Sequence, residues 1–231
     1  MTKVKICGLT RFEDAWLALE LGADELGFIL APSPRRIDPA ALRELLSALR
    51  AQQSAAARPF RAVGVFVNES PDAMREIMAI TTIDVAQVHG DETPEACSAF
   101  DFPWYRVVRP TSPDEAGLLC AAGWNCQRIL AEASVRGAYG GTGKGLAPEL
   151  ALAARASTRA AGKEFFLAGG LGPSNVADAI LLVSPDGVDL SSGVEEAPGI
   201  KSAALLEALF AEVRRADREL AARKEAADAA R

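Results

Sequence analysis

The chain has 231 residues, 49% of them hydrophobic and 24% charged, with a formal net charge of −6. That is enough apolar material for a sizeable core, and too little net charge per residue for a mainly disordered chain. No apolar run approaches the roughly 18–20 residues of a membrane span, the acidic balance argues against a nucleic-acid surface, and four scattered cysteines (Cys7, Cys97, Cys120, Cys126) with one histidine, His89, lack the spacing of a structural zinc site.

Short β-branched or apolar runs predict strands at 4–7, 25–30, 62–67, 85–89, 105–109, 128–132, 165–168 and 187–190. An amphipathic stretch predicted as helix follows each, at 12–21, 39–51, 72–80, 94–100, 113–122, 148–161, 173–183 and from 200 onward. The first strand begins almost at Met1, so no signal peptide is visible and a reduced, cytoplasmic protein is expected. Pro39, Pro94, Pro113, Pro148 and Pro173 stand in or near first turns, where a missing N–H costs nothing. Asp38, Thr93 and Ser112 precede three of them as candidate N-caps, and Gly22 follows the first helix as a C′ glycine.

Strict strand–helix alternation implies a parallel sheet. Eight units favour a single-domain α/β fold, a closed (β/α)8 TIM barrel spanning 1–210; a doubly wound open sheet is the alternative, weakened by the lack of a GxGxxG after the first strand. Residues 211–231 hold eight alanines and eleven charged residues, leaving only Val213 and Leu220 as larger apolar groups. They read as a charged helical tail, either solvated or a partner helix.

In such a barrel the site lies at the C-terminal strand ends. Polar or reactive residues occur at almost every one of these ends, and the N-terminal ends are not similarly enriched. Lys5 and Cys7 alternate onto one side of the first strand. A neighbouring ammonium would favour the thiolate and make Cys7 a base or nucleophile; the alternative is an inert buried cysteine, the reading given to Cys97, Cys120 and Cys126. Glu132 ends the sixth strand, where partial burial would suit it to proton donation, or a salt bridge to Arg109 or Arg128 would make it structural. His89 could be a pocket residue or a structural hydrogen-bonding group. Arg35 could grip a carboxylate with both prongs or be a solvated charge. Gly169, Gly170 and then Ser191, Ser192, Gly193 follow the last two strands, where barrels often bind phosphate through backbone N–H groups. The run Gly140–Gly145, which includes Gly141 and Gly143, fails the P-loop pattern at Gly145 and reads as a lid or an ordinary loop.

Lys5-Ile-Cys-Gly-Leu-Thr10, Gly22-Ala-Asp24, Gly27-Phe-Ile-Leu, Ser33-Pro-Arg35, Val63-Gly-Val-Phe-Val67, Gln87-Val-His-Gly-Asp-Glu92, Gly140-Gly-Thr-Gly143, Leu167-Ala-Gly-Gly-Leu171, Asn175-Val176 and Val188-Asp-Leu-Ser-Ser-Gly-Val194 occur in that order. In these motifs the chain, from about Lys3 to Lys201, resembles the phosphoribosylanthranilate isomerase family of tryptophan biosynthesis. The resemblance implies a cofactor-free Amadori rearrangement of N-(5′-phosphoribosyl)anthranilate to the 1-carboxyphenylamino-1-deoxyribulose 5-phosphate. An acid protonates the furanose oxygen, the ring opens to a Schiff base, a cysteine removes the C2′ proton, and the enolamine tautomerises to the ketone.

Residue for residue, the resemblance implies Cys7 as base, Arg35 on the anthranilate carboxylate, the loops at Gly169–Gly170 and Ser191–Gly193 on the phosphate, and Lys5, His89 and Asp189 lining the pocket. The family's acid is an aspartate in Leu-Leu-Asp. Here Leu130-Ala131-Glu132 stands in its place, one methylene and about 1.5 Å longer. Gly145-Leu146-Ala147 replaces the usual Phe-Asp-Trp, and Gly199-Ile200-Lys201-Ser202 lacks the aspartate of Gly-Lys-Asp. The expected partner is a small phosphorylated substrate, with no nucleic acid, membrane or metal, in a monomer or homodimer. The alternatives are a diverged member acting on a different phosphorylated sugar amine and a non-catalytic phospholigand-binding barrel.

Overall fold

A computed structural model describes residues 1–53, 59–121, 123–133 and 145–229. Eight parallel strands close a barrel in sequence order: β1 Lys3–Cys7, β2 Glu25–Ile29, β3 Arg61–Phe66, β4 Val85–Val88, β5 Trp104–Val108, β6 Arg128–Ala131, β7 Glu164–Ala168 and β8 Gly187–Leu190. Closure comes from β8 pairing with β1, with Lys5 in register with Asp189. The helices are α1 Phe12–Leu21, α2 Pro39–Gln52, α3 Pro71–Thr81, α4 Pro94–Cys97, α5 Pro113–Ala121, α6 Pro148–Ala160, α7 Val176–Val183 and α8 Ala203–Ala229. This is the (β/α)8 architecture expected from alternation, and the open sheet is excluded by the β1–β8 ladder.

The predicted caps form. Asp38 accepts from Ala40 N (2.8 Å), Thr93 from Ala96 N (3.3 Å) and Ser112 from Glu115 N (3.2 Å). Gly22 takes the left-handed conformation at φ 110° and closes α1. Three helix boundaries differ from the sequence reading by more than one residue. α4 stops at Cys97 because Phe100 turns inward against Phe102 and Trp104, with ring centroids 5.1 and 5.3 Å apart. α7 starts at Val176, not Pro173, because Asn175 is held non-helical at φ −139° while its amide braces the preceding glycine loop. α8 starts at Ala203 because an unpredicted hairpin, β9 Glu195–Ala197 with β10 Ile200–Lys201, occupies the preceding residues.

The boundary drawn at residue 210 falls inside α8. Val213 and Ala216 are buried beyond it, and Asp217 accepts from Thr2 N (3.0 Å) and Thr2 Oγ1 (2.8 Å). The helix keeps an apolar face on the barrel to that point; only residues 221–229 are exposed throughout.

Two apolar layers build the molecule. One lies between strands and helices; the other fills the barrel with Val63, Tyr105, Val107, Leu130, Phe166 and Ala168. The N-terminal end of the barrel is plugged by Arg128, which lies 3.8 Å from the Phe166 ring centroid and 5.0 Å from that of Tyr105. Its charge is met by Glu25 at 2.8 Å and Glu164 at 2.9 Å, as a buried cation requires. Among the described residues no helix is long and apolar enough to cross a membrane.

Candidate active site

Side-chain alternation sorts the strand ends. Residues two apart share a face, so Lys5 and Cys7 on β1, Gln87 and His89 at the end of β4, and Leu130 and Glu132 at the end of β6 turn together. Cys7, His89 and Glu132 are each 6% exposed. Gly27 on β2 makes room for the first pair: a Cβ there would stand 2.8 Å from Cys7 Sγ and 2.9 Å from Lys5 Nζ.

Lys5 is fully buried and donates to Asp189 at 2.8 Å. It therefore lies beneath the mouth and does not line it. The thiolate expected from its charge does not follow either. Burial raises the Cys7 pKa, and this outweighs the lowering by Lys5 and Lys201. Cys7 rests as a thiol at neutral pH. The other three cysteines are buried, their pKa values also raised by burial, that of Cys97 to about 11.

Glu132 Oε1 lies 2.5 Å from His89 Nε2, and His89 Nδ1 lies 3.1 Å from Gln87 Nε2. The salt-bridge alternative for Glu132 is not the arrangement found: Arg109 instead donates to the carbonyls of His89 and Gly90, each at 3.1 Å, and Arg128 sits at the other end of the barrel.

Arg35 is not a solvated charge. Its Nε lies 3.0 Å from both oxygens of Glu195 and its Nη2 2.8 Å from Oε2. Lys201 completes the cluster: its Nζ donates to Glu195 Oε1 (2.8 Å), the Cys7 carbonyl (2.6 Å) and the Ser191 carbonyl (3.2 Å). Burial raises the pKa of Glu195, but hydrogen bonds and charge from Arg35 and Lys201 hold it below the ordinary value. Glu195 and Lys201 escaped the sequence reading as site residues. Glu195 directly follows the quoted Val188–Val194 stretch and Lys201 lies in Gly199–Ser202, and nothing local says that they reach Arg35 and Cys7.

The two glycine-rich loops meet. A Cβ on Gly193 would stand 2.0 Å from the Leu171 carbonyl oxygen, so the backbones touch and only glycine fits. Gly169 and Gly170 both take positive φ, 92° and 61°. Asn175 holds this turn from within, accepting from Gly172 N (2.8 Å) and donating to the Gly170 carbonyl (2.9 Å). The Ser191 hydroxyl is buried without a partner among the described residues; a Cβ on Gly8 would stand 2.9 Å from it. Gly141 and Gly143 lie outside the described residues. Among the described residues no group of three or more His, Cys, Asp or Glu side chains could hold a metal ion.

The family model described as "N-(5'phosphoribosyl)anthranilate (PRA) isomerase" matches residues 4–212. An N-(5′-phosphoribosyl)anthranilate isomerase of Pseudomonas putida is 40% identical over 214 residues, 92% of this chain and 97% of that protein. The crystal structure of phosphoribosyl anthranilate isomerase from Thermus thermophilus superposes with a TM-score of 0.79 at 37% identity, covering 93% of this chain and 99% of that one. A further phosphoribosyl anthranilate isomerase, solved in complex with reduced 1-(o-carboxyphenylamino)-1-deoxyribulose 5-phosphate, superposes with a TM-score of 0.75 at 29% identity over 93% and 99% of the two chains.

Proposed function

The chain belongs to the N-(5′-phosphoribosyl)anthranilate isomerase family, and on that premise we propose that Cys7 and Glu132 are the base and the acid of its Amadori rearrangement. The reaction converts N-(5′-phosphoribosyl)anthranilate to 1-(2-carboxyphenylamino)-1-deoxyribulose 5-phosphate in tryptophan biosynthesis. The observation that carries the residue assignment is one thiol and one carboxylate on the inner face of the same mouth, the carboxylate seated on His89.

Glu132 gives a proton to the furanose ring oxygen as the nitrogen lone pair opens the C1′–O bond to a Schiff base. The Cys7 thiolate takes the C2′ proton, and the C–H electron pair forms C1′=C2′ while the C=N pair returns to nitrogen. Protons balance when the Cys7 thiol returns its proton to C1′ and the enol O–H reloads Glu132. The phosphate sits on the touching loops. Gly172 N–H is already held by Asn175, so the N–H groups of Gly170, Ser192 and Gly193 meet the anion. Arg35 receives the anthranilate carboxylate through the edge not turned to Glu195. Asp189, bound to Lys5 beneath the floor, keeps that cation neutralised. The cytoplasm is the proposed compartment, since a free catalytic thiol persists where thiols stay reduced.

The test is loss of anthranilate fluorescence as substrate generated in situ is consumed. Cys7→Ala and Glu132→Gln should each lower kcat at least about 100-fold, the scale of one general acid or base, in protein that melts normally. Undiminished turnover in either variant removes that residue from the mechanism.

A further inference from the structure

A hydrogen-bonded chain runs up through the barrel to the Glu132 carboxylate. Tyr105 Oη lies 2.7 Å from Gln87 Oε1, Gln87 Nε2 lies 3.1 Å from His89 Nδ1, and His89 Nε2 lies 2.5 Å from Glu132 Oε1. The four side chains are buried, with exposures of 2, 1, 6 and 6% in that order, so they answer to one another and not to bulk water. The rearrangement derived above uses only the last of them.

We propose that Tyr105 and Gln87 are positioning residues that fix which nitrogen of His89 carries its proton, and through it which oxygen of Glu132 delivers the acid's proton. The inference rests on Glu132 being the acid.

An amide has one accepting end and one donating end. Burial raises the pKa of Tyr105 beyond what Lys5 and Arg128 can lower, so Tyr105 stays a phenol with one hydrogen to donate. That hydrogen holds Gln87 Oε1 toward β5 and leaves Gln87 Nε2 facing His89. Nδ1 must then be the unprotonated nitrogen. The ring hydrogen sits on Nε2 and is donated to Glu132 Oε1. With Oε1 so occupied, the proton destined for the sugar is carried on Oε2, clear of the ring. Were the amide reversed, Nδ1 would carry the hydrogen, Nε2 would be a bare acceptor, and the acid's proton would settle on Oε1 against it, turned away from substrate.

The neighbouring charges do not compete for this role. Arg109, paired with Asp91, and Arg106, paired with Glu92, are engaged with the carbonyls of His89 and Gly90. Around Tyr105, Lys5 is paired with Asp189 and Arg128 with Glu25. Across the mouth, among the described residues, the other titratable groups are Cys7 on β1, Glu195 paired with Lys201 and Arg35, and Asp189 paired with Lys5.

The chain contains a single histidine, so the imidazole 15N spectrum of untagged protein reports His89 alone. Wild type should show the Nε2–H tautomer at the pH of maximal activity. Gln87→Glu offers an acceptor at both ends and should place a proton on Nδ1. Tyr105→Phe frees the amide to turn and should give a mixture. Both variants should lose about tenfold in kcat with KM little changed, the weight of one buried hydrogen bond. In Tyr105→Phe the basic limb of the pH–rate profile should move up by about one unit, because the acid's proton is now held by His89. Wild-type tautomer and wild-type pH profile in both variants, whatever their stability, overturn the proposal. A changed tautomer beside a fully active Glu132→Gln would instead overturn Glu132 as the acid and leave the relay standing.

Discussion

Arg35 and Glu195, 160 residues apart, form a two-pronged salt bridge in which Nε and Nη2 of the guanidinium face one carboxylate. Their side chains are 12% and 4% exposed, so the pair is shielded from the screening that makes surface ion pairs weak. One edge of the fork is committed and the end bearing Nη1 remains for a second carboxylate. On the role proposed for Arg35, Glu195 is the group that holds the guanidinium in place. Arg35→Lys cannot serve both partners and should lower kcat/KM by about 10- to 100-fold. Glu195→Gln should raise KM several-fold with kcat less changed. A fall in KM in that variant would mean that substrate displaces Glu195 from Arg35, the opposite of the arrangement argued here.

Cys7 needs to be a thiolate to act as a base, yet burial raises its pKa. The base form therefore grows in above the ordinary thiol range of about 8.5. Alkylation by iodoacetamide, followed at the Cys7 peptide by mass spectrometry, should accelerate with pH beyond that value. Access scales the rate equally at every pH, so the shape of the profile reads the thiolate alone. A plateau reached by pH 7 would show that Lys5 and Lys201 outweigh burial.

The sequence carried the strand ends well, because β-branched runs, prolines and caps are local signals. Gly187–Leu190 and Phe12–Leu21 match to the residue. Alternation also placed Lys5 beside Cys7. It could not tell whether the ammonium or the burial dominates, since burial is a property of the closed barrel. The same limit hid Arg35–Glu195, Lys201 on the Cys7 carbonyl and Tyr105 beneath Gln87, each a contact between distant segments. The hairpin at Glu195–Lys201 was missed because its strands are three and two residues long.

The C-terminal helix divides by packing, not by composition. Val213 and Ala216 are buried and Asp217 ties down Thr2, whereas residues 221–229 are exposed. Deleting residues 221–231 should leave the melting temperature within about 1 °C. Deleting 212–231 strips Val213 from the core and should cost about 1.5–3 kcal/mol from that side chain alone. Equal melting temperatures for the two truncations would show that the solvated tail begins near residue 210 after all.

Gly27 is the position where packing and chemistry are most directly coupled. A Cβ there falls 2.8 Å from Cys7 Sγ and 2.9 Å from Lys5 Nζ, well inside ordinary contact. Lys5 is bound to Asp189 and the Cys7 main chain is held through its carbonyl by Lys201, so neither of these shifts freely. The sulfur is the group with rotational freedom, so it moves. Gly27→Ala should cost about 1–3 kcal/mol in stability, the usual range for overpacking. It should lose far more in turnover, about 100-fold for a base displaced by an ångström. Comparing its melting curve with its kcat separates the two effects, and full activity in the variant would place the reacting sulfur somewhere other than the position it occupies beside Gly27.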